Sequence, residues 1–188
     1  MVKILLLSAT SIEHNEKAIF SYPIHITGLG KISAAQRTTE LILKHDPDLV
    51  INFGSCGNLK SNKIGEILEV GTVYNNIDAR PLAPYGTTPF ENIGNIKINP
   101  DSHIKCFSTD QFYHKNDKSY RNEYLNMIEK CDIVDMELYS IAWVCMKLNK
   151  KLASFKWISD DGESSDWKEN AALGFEAFKI RFKEKYVD

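Results

Sequence analysis

Residues 23–57, PIHITGLGKISAAQRTTELILKHDPDLVINFGSCG, hold the alternation that decides the fold. Pro23 to Thr27 and Leu49 to Phe53 are short, mostly apolar runs that read as strands. Between them Lys31 to His45 has no internal glycine or proline and stops before Asp46-Pro47, because proline disfavours helical backbone in the residue that precedes it. Strand, helix, strand is the result. Outward from this unit, Lys3 to Leu7, Ile67 to Tyr74, Ile104 to Phe107, Ile133 to Met136 and Leu152 to Ile158 read as further strands. Leu138, Ile141, Ala142, Cys145 and Leu148 recur at spacings of three and four and predict a helix with one apolar face. Trp167, Ala171, Phe175, Phe178 and Phe182 do the same in a last helix. Strands alternating with such helices predict an α/β domain whose largely parallel sheet is covered on both faces, with ligands gathering at the carboxyl ends of strands.

With 188 residues, 43% of them hydrophobic, the chain is expected to form one domain around one core. Its 25 acidic and 23 basic residues are distributed along the chain for a net charge of -2, so no cationic surface for nucleic acid or anionic lipid is implied. Cys56, Cys106, Cys131 and Cys145 are far apart and form no Cys-x-x-Cys, which argues against a zinc knuckle, a redox pair or a disulfide framework and favours buried free thiols. No run approaches the ~20 apolar residues of a membrane helix, and a cytoplasmic protein is expected. Asn75 to Pro100, with four of the six prolines, is the one long irregular segment, a kind of loop that usually serves function or moves.

Three small motifs carry possible chemistry. Gly28-Leu29-Gly30-Lys31 opens a helix but lacks the third glycine of a dinucleotide fingerprint, with Ser33 in that place, and reads as a tight turn. Gly54-Ser55-Cys56-Gly57 follows a strand, where small residues admit a ligand to the backbone, and is equally compatible with an ordinary turn. Asp135-Met136-Glu137 places two carboxylates between a strand and a helix, where either favours the positive helix end or serves a site. Asp160 and Asp161 follow the strand that contains Trp157 and Ile158, and an Asx turn or helix cap would explain them without any chemistry.

Taken in order, these segments resemble the nucleoside phosphorylase and nucleosidase superfamily, and within it the 5'-methylthioadenosine/S-adenosylhomocysteine nucleosidases. The matching segments are Lys3 to Ala9 with Glu13, Gly28 to Lys31 with Ala34-Ala35, Asn52 to Gly57, Ile64 to Ile67, Ser108 to Phe112, Val134 to Glu137 and Ile158 to Asp160. The resemblance implies a three-layer α/β fold with a central mixed, largely parallel sheet. It also implies hydrolysis of the N-glycosidic bond of an adenine nucleoside, with adenine as the leaving base. Asp160 would be the acid that protonates adenine at N7, oriented by Ser159, and Glu13 the base that activates water. Glu137 would accept hydrogen bonds from the ribose hydroxyls, Met136 would pack on the sugar, Phe112 would stack on the purine and Ser55 would help hold the water. No cofactor and no metal ion is expected; the partners expected are a small nucleoside and a second copy of the chain.

Ser8-Ala9-Thr10-Ser11-Ile12-Glu13 has neither glycine nor arginine, whereas phosphorylases of the superfamily bind phosphate there with a loop that contains both, and a carboxylate in that place repels phosphate. The chain is short between Glu13 and Gly28, where the family builds two strands, so a sheet trimmed after its first strand is expected. Lys156 stands where the family has arginine, and Leu138 where it has a small residue. The alternatives are a futalosine-type hydrolase, a purine nucleoside phosphorylase and a nucleoside-binding protein without catalysis.

Overall fold

A computed structural model describes residues 2–163 and 167–187. Its strands are β1 (Ile4–Ser8), β2 (Ala18–Ile19), β3 (Tyr22–Ile26), β4 (Leu49–Asn58), β5 (Ile67–Glu69), β6 (Thr72–Asn75), β7 (Asn95–Lys97), β8 (Lys105–Ser108), β9 (Ile133–Asp135) and β10 (Lys151–Asp160). The helices are α1 (Lys31–His45), α2 (Asn122–Lys130), α3 (Leu138–Lys147), α4 (Trp167–Asn170) and α5 (Phe175–Tyr186), with a 3-10 turn at Ser11–Glu13.

The strands run β2-β3-β1-β4-β9-β8-β6-β7 across one mixed sheet, with β10 on β4 and β5 on β10. Strand β4 is the keel. It pairs in parallel with β1 and, from Leu49 to Gly57, with β10, then turns its last residues to β9. The remaining parallel pairs are β1 with β3, β6 with β8 and β8 with β9.

Side chains alternate across this sheet as the strand period requires. Leu6, Ile51, Phe53, Phe155 and Trp157 point to one face, where Phe175, Phe178 and Phe182 of α5 cover them. Leu5, Leu7 and Val50 point to the other, under Ala34, Leu41 and Ile42 of α1 and Ile141, Val144 and Cys145 of α3. Helix, sheet, helix is therefore the layer order.

Several boundaries differ from the sequence reading. The connection after Glu13 holds two short strands: β2 has two residues and β3 five. Strand β4 does not end at Phe53; β10 continues to pair with it, so Gly54-Ser55-Cys56-Gly57 is strand and not turn. The expected strand Ile67 to Tyr74 breaks at Gly71, where backbone meets backbone so closely that a Cβ would lie 1.9 Å from the Ser102 carbonyl oxygen. The last helix is two helices, α4 and α5, separated where Trp157 Nε1 donates to the Ala171 carbonyl at 2.7 Å. The segment Asn75 to Pro100 is mostly irregular, as read, but contains β7, antiparallel on β6. Helix α2 was not anticipated, although Tyr120, Tyr124, Met127 and Ile128 repeat at three and four and all pack into one cluster with Phe107. All four cysteines are buried and free.

Candidate active site

A cavity of about 180 Å³ opens where β1, β4, β9 and β10 end. Glu13, Ser55, Phe112, Met136, Glu137, Ser159 and Asp160 all line it, so the structure brings together every site residue that the sequence named.

Glu13 enters from the 3-10 turn after β1 and is 3% exposed. Its Oε2 accepts from Ser8 Oγ at 2.7 Å and from the Ala9 and Thr10 amides at 3.2 and 3.4 Å. Its Oε1 accepts from the Ser55 amide at 2.7 Å and Ser55 Oγ at 2.8 Å. The Thr10 contact belongs to a capping box, so the local role and the cavity role coexist in one side chain. Gly54 makes this approach possible: a Cβ there would lie 2.6 Å from Glu13 Oε1. The Ser55 hydroxyl spends its proton on Glu13 and accepts from Trp167 Nε1 at 3.1 Å. Trp167 was read as part of a core-facing helix stripe; it stands instead in the cavity wall.

At the junction of β9 and α3 the two carboxylates divide their work. Asp135 Oδ2 accepts the Leu138 amide at 2.9 Å, and Ser108 Oγ, which donates to Asp135 Oδ1, accepts the Tyr139 amide at 2.8 Å. Asp135 is thus the helix-end carboxylate. Burial works against its charge, but Lys156 Nζ at 2.9 Å and these donors hold its pKa below the usual carboxylate value. Glu137 turns away from its own helix and accepts the Gly30 amide, at the start of α1, at 2.9 Å. Burial, then the neighbouring Asp135 charge, push its pKa up to about 7.

Asp160 closes β10, past a register shift between Ile158 and Asp160 that re-aims the strand end. Its Oδ1 accepts the Gly162 amide at 3.0 Å, the Asx turn foreseen, while Oδ2 lies 2.9 Å from Ser159 Oγ. Ser159 Oγ also donates to the Cys56 carbonyl at 3.1 Å. A hydroxyl has one proton, so Ser159 donates it either to the Cys56 carbonyl or to the Asp160 carboxyl group. Neighbouring Asp161 is exposed and pairs with Lys115 at 2.8 Å.

Phe112 and Tyr113 form the aromatic side of the cavity, and Tyr113 continues into a stack with Tyr120. This loop is tied to α1 by Lys31, whose Nζ lies 3.0 Å from Asp110 Oδ2 and also donates to Asn75 and Asn76. Sequence reading missed the supports: Ser8, the Gly30 amide and the pairing of Lys156. Only Lys156 carried a signal, as a lysine between Phe155 and Trp157 in a buried strand.

No protein-family model matches the chain. A 5'-methylthioadenosine/S-adenosylhomocysteine nucleosidase of Buchnera aphidicola is 34% identical over 82% of this chain and 80% of its own length. An aminodeoxyfutalosine nucleosidase of Helicobacter pylori is 30% identical over 88% of this chain and 74% of its own. In the solved structure of a Helicobacter pylori 5'-methylthioadenosine nucleosidase mutant, with TM-score 0.81 and 21% identity, the same fold covers 98% of this chain and 99% of that one. Fold and relatives together define an N-glycosyl hydrolase of purine nucleosides. The chain belongs to the 5'-methylthioadenosine/S-adenosylhomocysteine nucleosidase family.

Proposed function

We propose that the chain releases adenine from 5'-methylthioadenosine or S-adenosylhomocysteine by attack of water, with Asp160 and Glu13 as acid and base. The observation that carries this reading is one cavity lined by Glu13, Glu137 and Asp160, which arrive from separate elements. Cleavage builds positive charge on the sugar and negative charge on the departing base. Asp160, positioned by Ser159, delivers a proton to N7 of adenine, and Glu13 takes a proton from the attacking water. Glu137 accepts hydrogen bonds from the ribose 2' and 3' hydroxyls, Met136 packs on the sugar and Phe112 stacks on the base. With its own proton committed to Glu13, Ser55 acts on the water as an acceptor and through the carboxylate it holds.

The described residues lining the cavity include no lysine, arginine or histidine, which favours water over phosphate as the attacking group. The aminodeoxyfutalosine relative keeps a second substrate in view, one with a different 5' group on the same reaction. We also infer a cytoplasmic homodimer; no helix among the described residues is long and apolar enough to cross a membrane. Ile32 at 87% and Phe90 at 89% exposure are apolar surface that a second copy would cover, and sedimentation at the mass of two chains is the expected result.

The test is incubation of the purified protein with 5'-methylthioadenosine, S-adenosylhomocysteine, adenosine, inosine and aminofutalosine, with and without phosphate. Free adenine with a free sugar is expected. Sugar 1-phosphates would identify a phosphorylase, and no base release from any substrate would identify a binding protein. Asp160→Asn is expected to lower kcat by at least about 100-fold while nucleoside still binds, since it removes a proton donor and little volume. An aspartate-to-asparagine mutant of the Helicobacter pylori nucleosidase holds 5'-methylthioadenosine in its active site.

A further inference from the structure

Beneath the cavity lies an ion pair that the mechanism does not use. Lys156, in the middle of β10, is 2% exposed, and its Nζ lies 2.9 Å from Asp135 Oδ2. Among the described residues it is the only buried lysine or arginine, while Glu13, Asp135, Glu137 and Asp160 are all buried around the cavity. A cation placed there meets a large desolvation penalty, and a strand core between Phe155 and Trp157 has no need of one for packing. Its position is informative. In register Lys156 stands opposite Gly54, the residue against which Glu13 rests. Its partner Asp135 caps α3 through the Leu138 amide and holds Ser108, which in turn accepts the Tyr139 amide. Glu137 is the residue at that helix start.

We propose that Lys156 is a positioning residue for the glycosidase reaction: its buried ammonium locks Asp135 as the cap of α3 and balances the carboxylates at the ribose end of the cavity, so that Glu137 meets the sugar as an ionised acceptor. This rests on the reading of Glu137 as the ribose clamp. The groups that face Glu137 are Asp135 from β9, Glu13 from the turn after β1, Lys156 from β10 and the Gly30 amide from α1. Asp135 and Glu13 favour its neutral form, whereas Lys156 and the amide favour the anion. Lys156 feels Asp135, Glu137 and Glu13 in return, which hold its pKa above the usual lysine value although burial opposes the charge. A neutral Glu137 would donate to one ribose hydroxyl instead of accepting from both, so the ammonium acts on binding through the charge of another side chain.

The experiment measures kcat and KM for 5'-methylthioadenosine from pH 5 to 9, with melting curves, in Lys156→Met, Lys156→Arg, Asp135→Asn and the double variant Asp135→Asn/Lys156→Met. Lys156→Met is expected to move the acid limb of kcat/KM upward by about one pH unit or more. KM at pH 7 should rise roughly 10-fold and recover towards pH 9, and Lys156→Arg should keep the limb in place. An acid limb that does not move in Lys156→Met, with activity lost only in proportion to unfolded protein, overturns the proposal and leaves the pair a structural one. If Lys156→Met does not fold, the comparison is Asp135→Asn against the double variant, which differ only by the ammonium; the limb must lie higher in the double variant. Glu137→Gln is the control for the underlying reading: an unchanged KM there removes the ribose clamp, whatever Lys156 does.

Discussion

At the scale of single residues the site depends on close approaches that leave no room for substitution. Gly54→Ala places a methyl carbon within 3 Å of three atoms of the Glu13 carboxylate, and that group cannot retreat without leaving the Ser55 amide. We expect kcat to fall about 100-fold or more, the usual effect of a misplacement near 1 Å, with the fold retained by circular dichroism; near-normal turnover would show that Glu13 is not the base. Glu137 makes a prediction of opposite character. Its pKa is about 7 in the folded chain against 4.5 for an ordinary glutamate. Between those values the folded protein holds more protons than the unfolded chain, so this group lowers stability as pH rises through that window. Glu137→Gln should therefore raise Tm by several degrees at pH 8 and by little at pH 4.5, while catalysis is lost; an equal change at both pH values would refute the assignment. Glu137 was legible in the sequence because it sits between a strand and a helix within a short motif, whereas Glu13 was legible only through the family resemblance. The Gly30 amide and the Asp135 partner of Lys156 were not, because those contacts join separate segments of the chain, and Ser8 was not, because only the 3-10 turn brings its hydroxyl onto Glu13.

At the scale of elements, strand ends and helix starts are shared between architecture and chemistry. The start of α3 depends on Ser108 of the adjacent β8, so Ser108→Ala should cost about 1–2 kcal/mol from the orphaned Tyr139 amide and the weakened hold on Asp135. Urea unfolding measures it, and a loss below 0.3 kcal/mol, about the limit of such measurements, would mean that water replaces the hydroxyl. Gly174→Ala tests the gap between α4 and α5, since the added carbon would lie 2.2 Å from the Trp157 ring. Overpacking of that kind costs about 1–3 kcal/mol or more, read as a Tm lower by roughly 2–4 °C per kcal/mol. The periodicity from Trp167 to Phe182 is real, and Ala171, Phe175, Phe178 and Phe182 are buried as it requires. It could not show the break, because that is set by the Trp157 side chain of another element. Helix α1, bounded by Gly30 and Asp46-Pro47, was readable to the residue because its stop signals are local.

At the scale of the whole molecule, the cavity is a junction of the sheet's two halves. Glu13 hangs from β1, Ser55 lies in β4, Asp160 ends β10 and Glu137 starts α3, which covers sheet strands on both sides of the β4 to β9 crossing. A ligand that touches all four is linked to global unfolding and not to the opening of one loop, because β1, β4, β10 and α3 cannot separate without dismantling the site. Asp160→Asn protein supplies the means to measure this without turnover. At 5'-methylthioadenosine 100-fold above its Kd, binding should add about 2.7 kcal/mol, a rise in Tm of roughly 5–11 °C for a chain of this size. Hydrogen exchange in β4 and β10 should slow by about the same free energy, since their pairing spans Leu49 to Gly57 and is the longest in the sheet. Protection confined to the segment from Asp110 to Tyr113, with β4 and β10 unchanged, would show instead that the nucleoside orders one wall of a cavity whose frame opens independently of it.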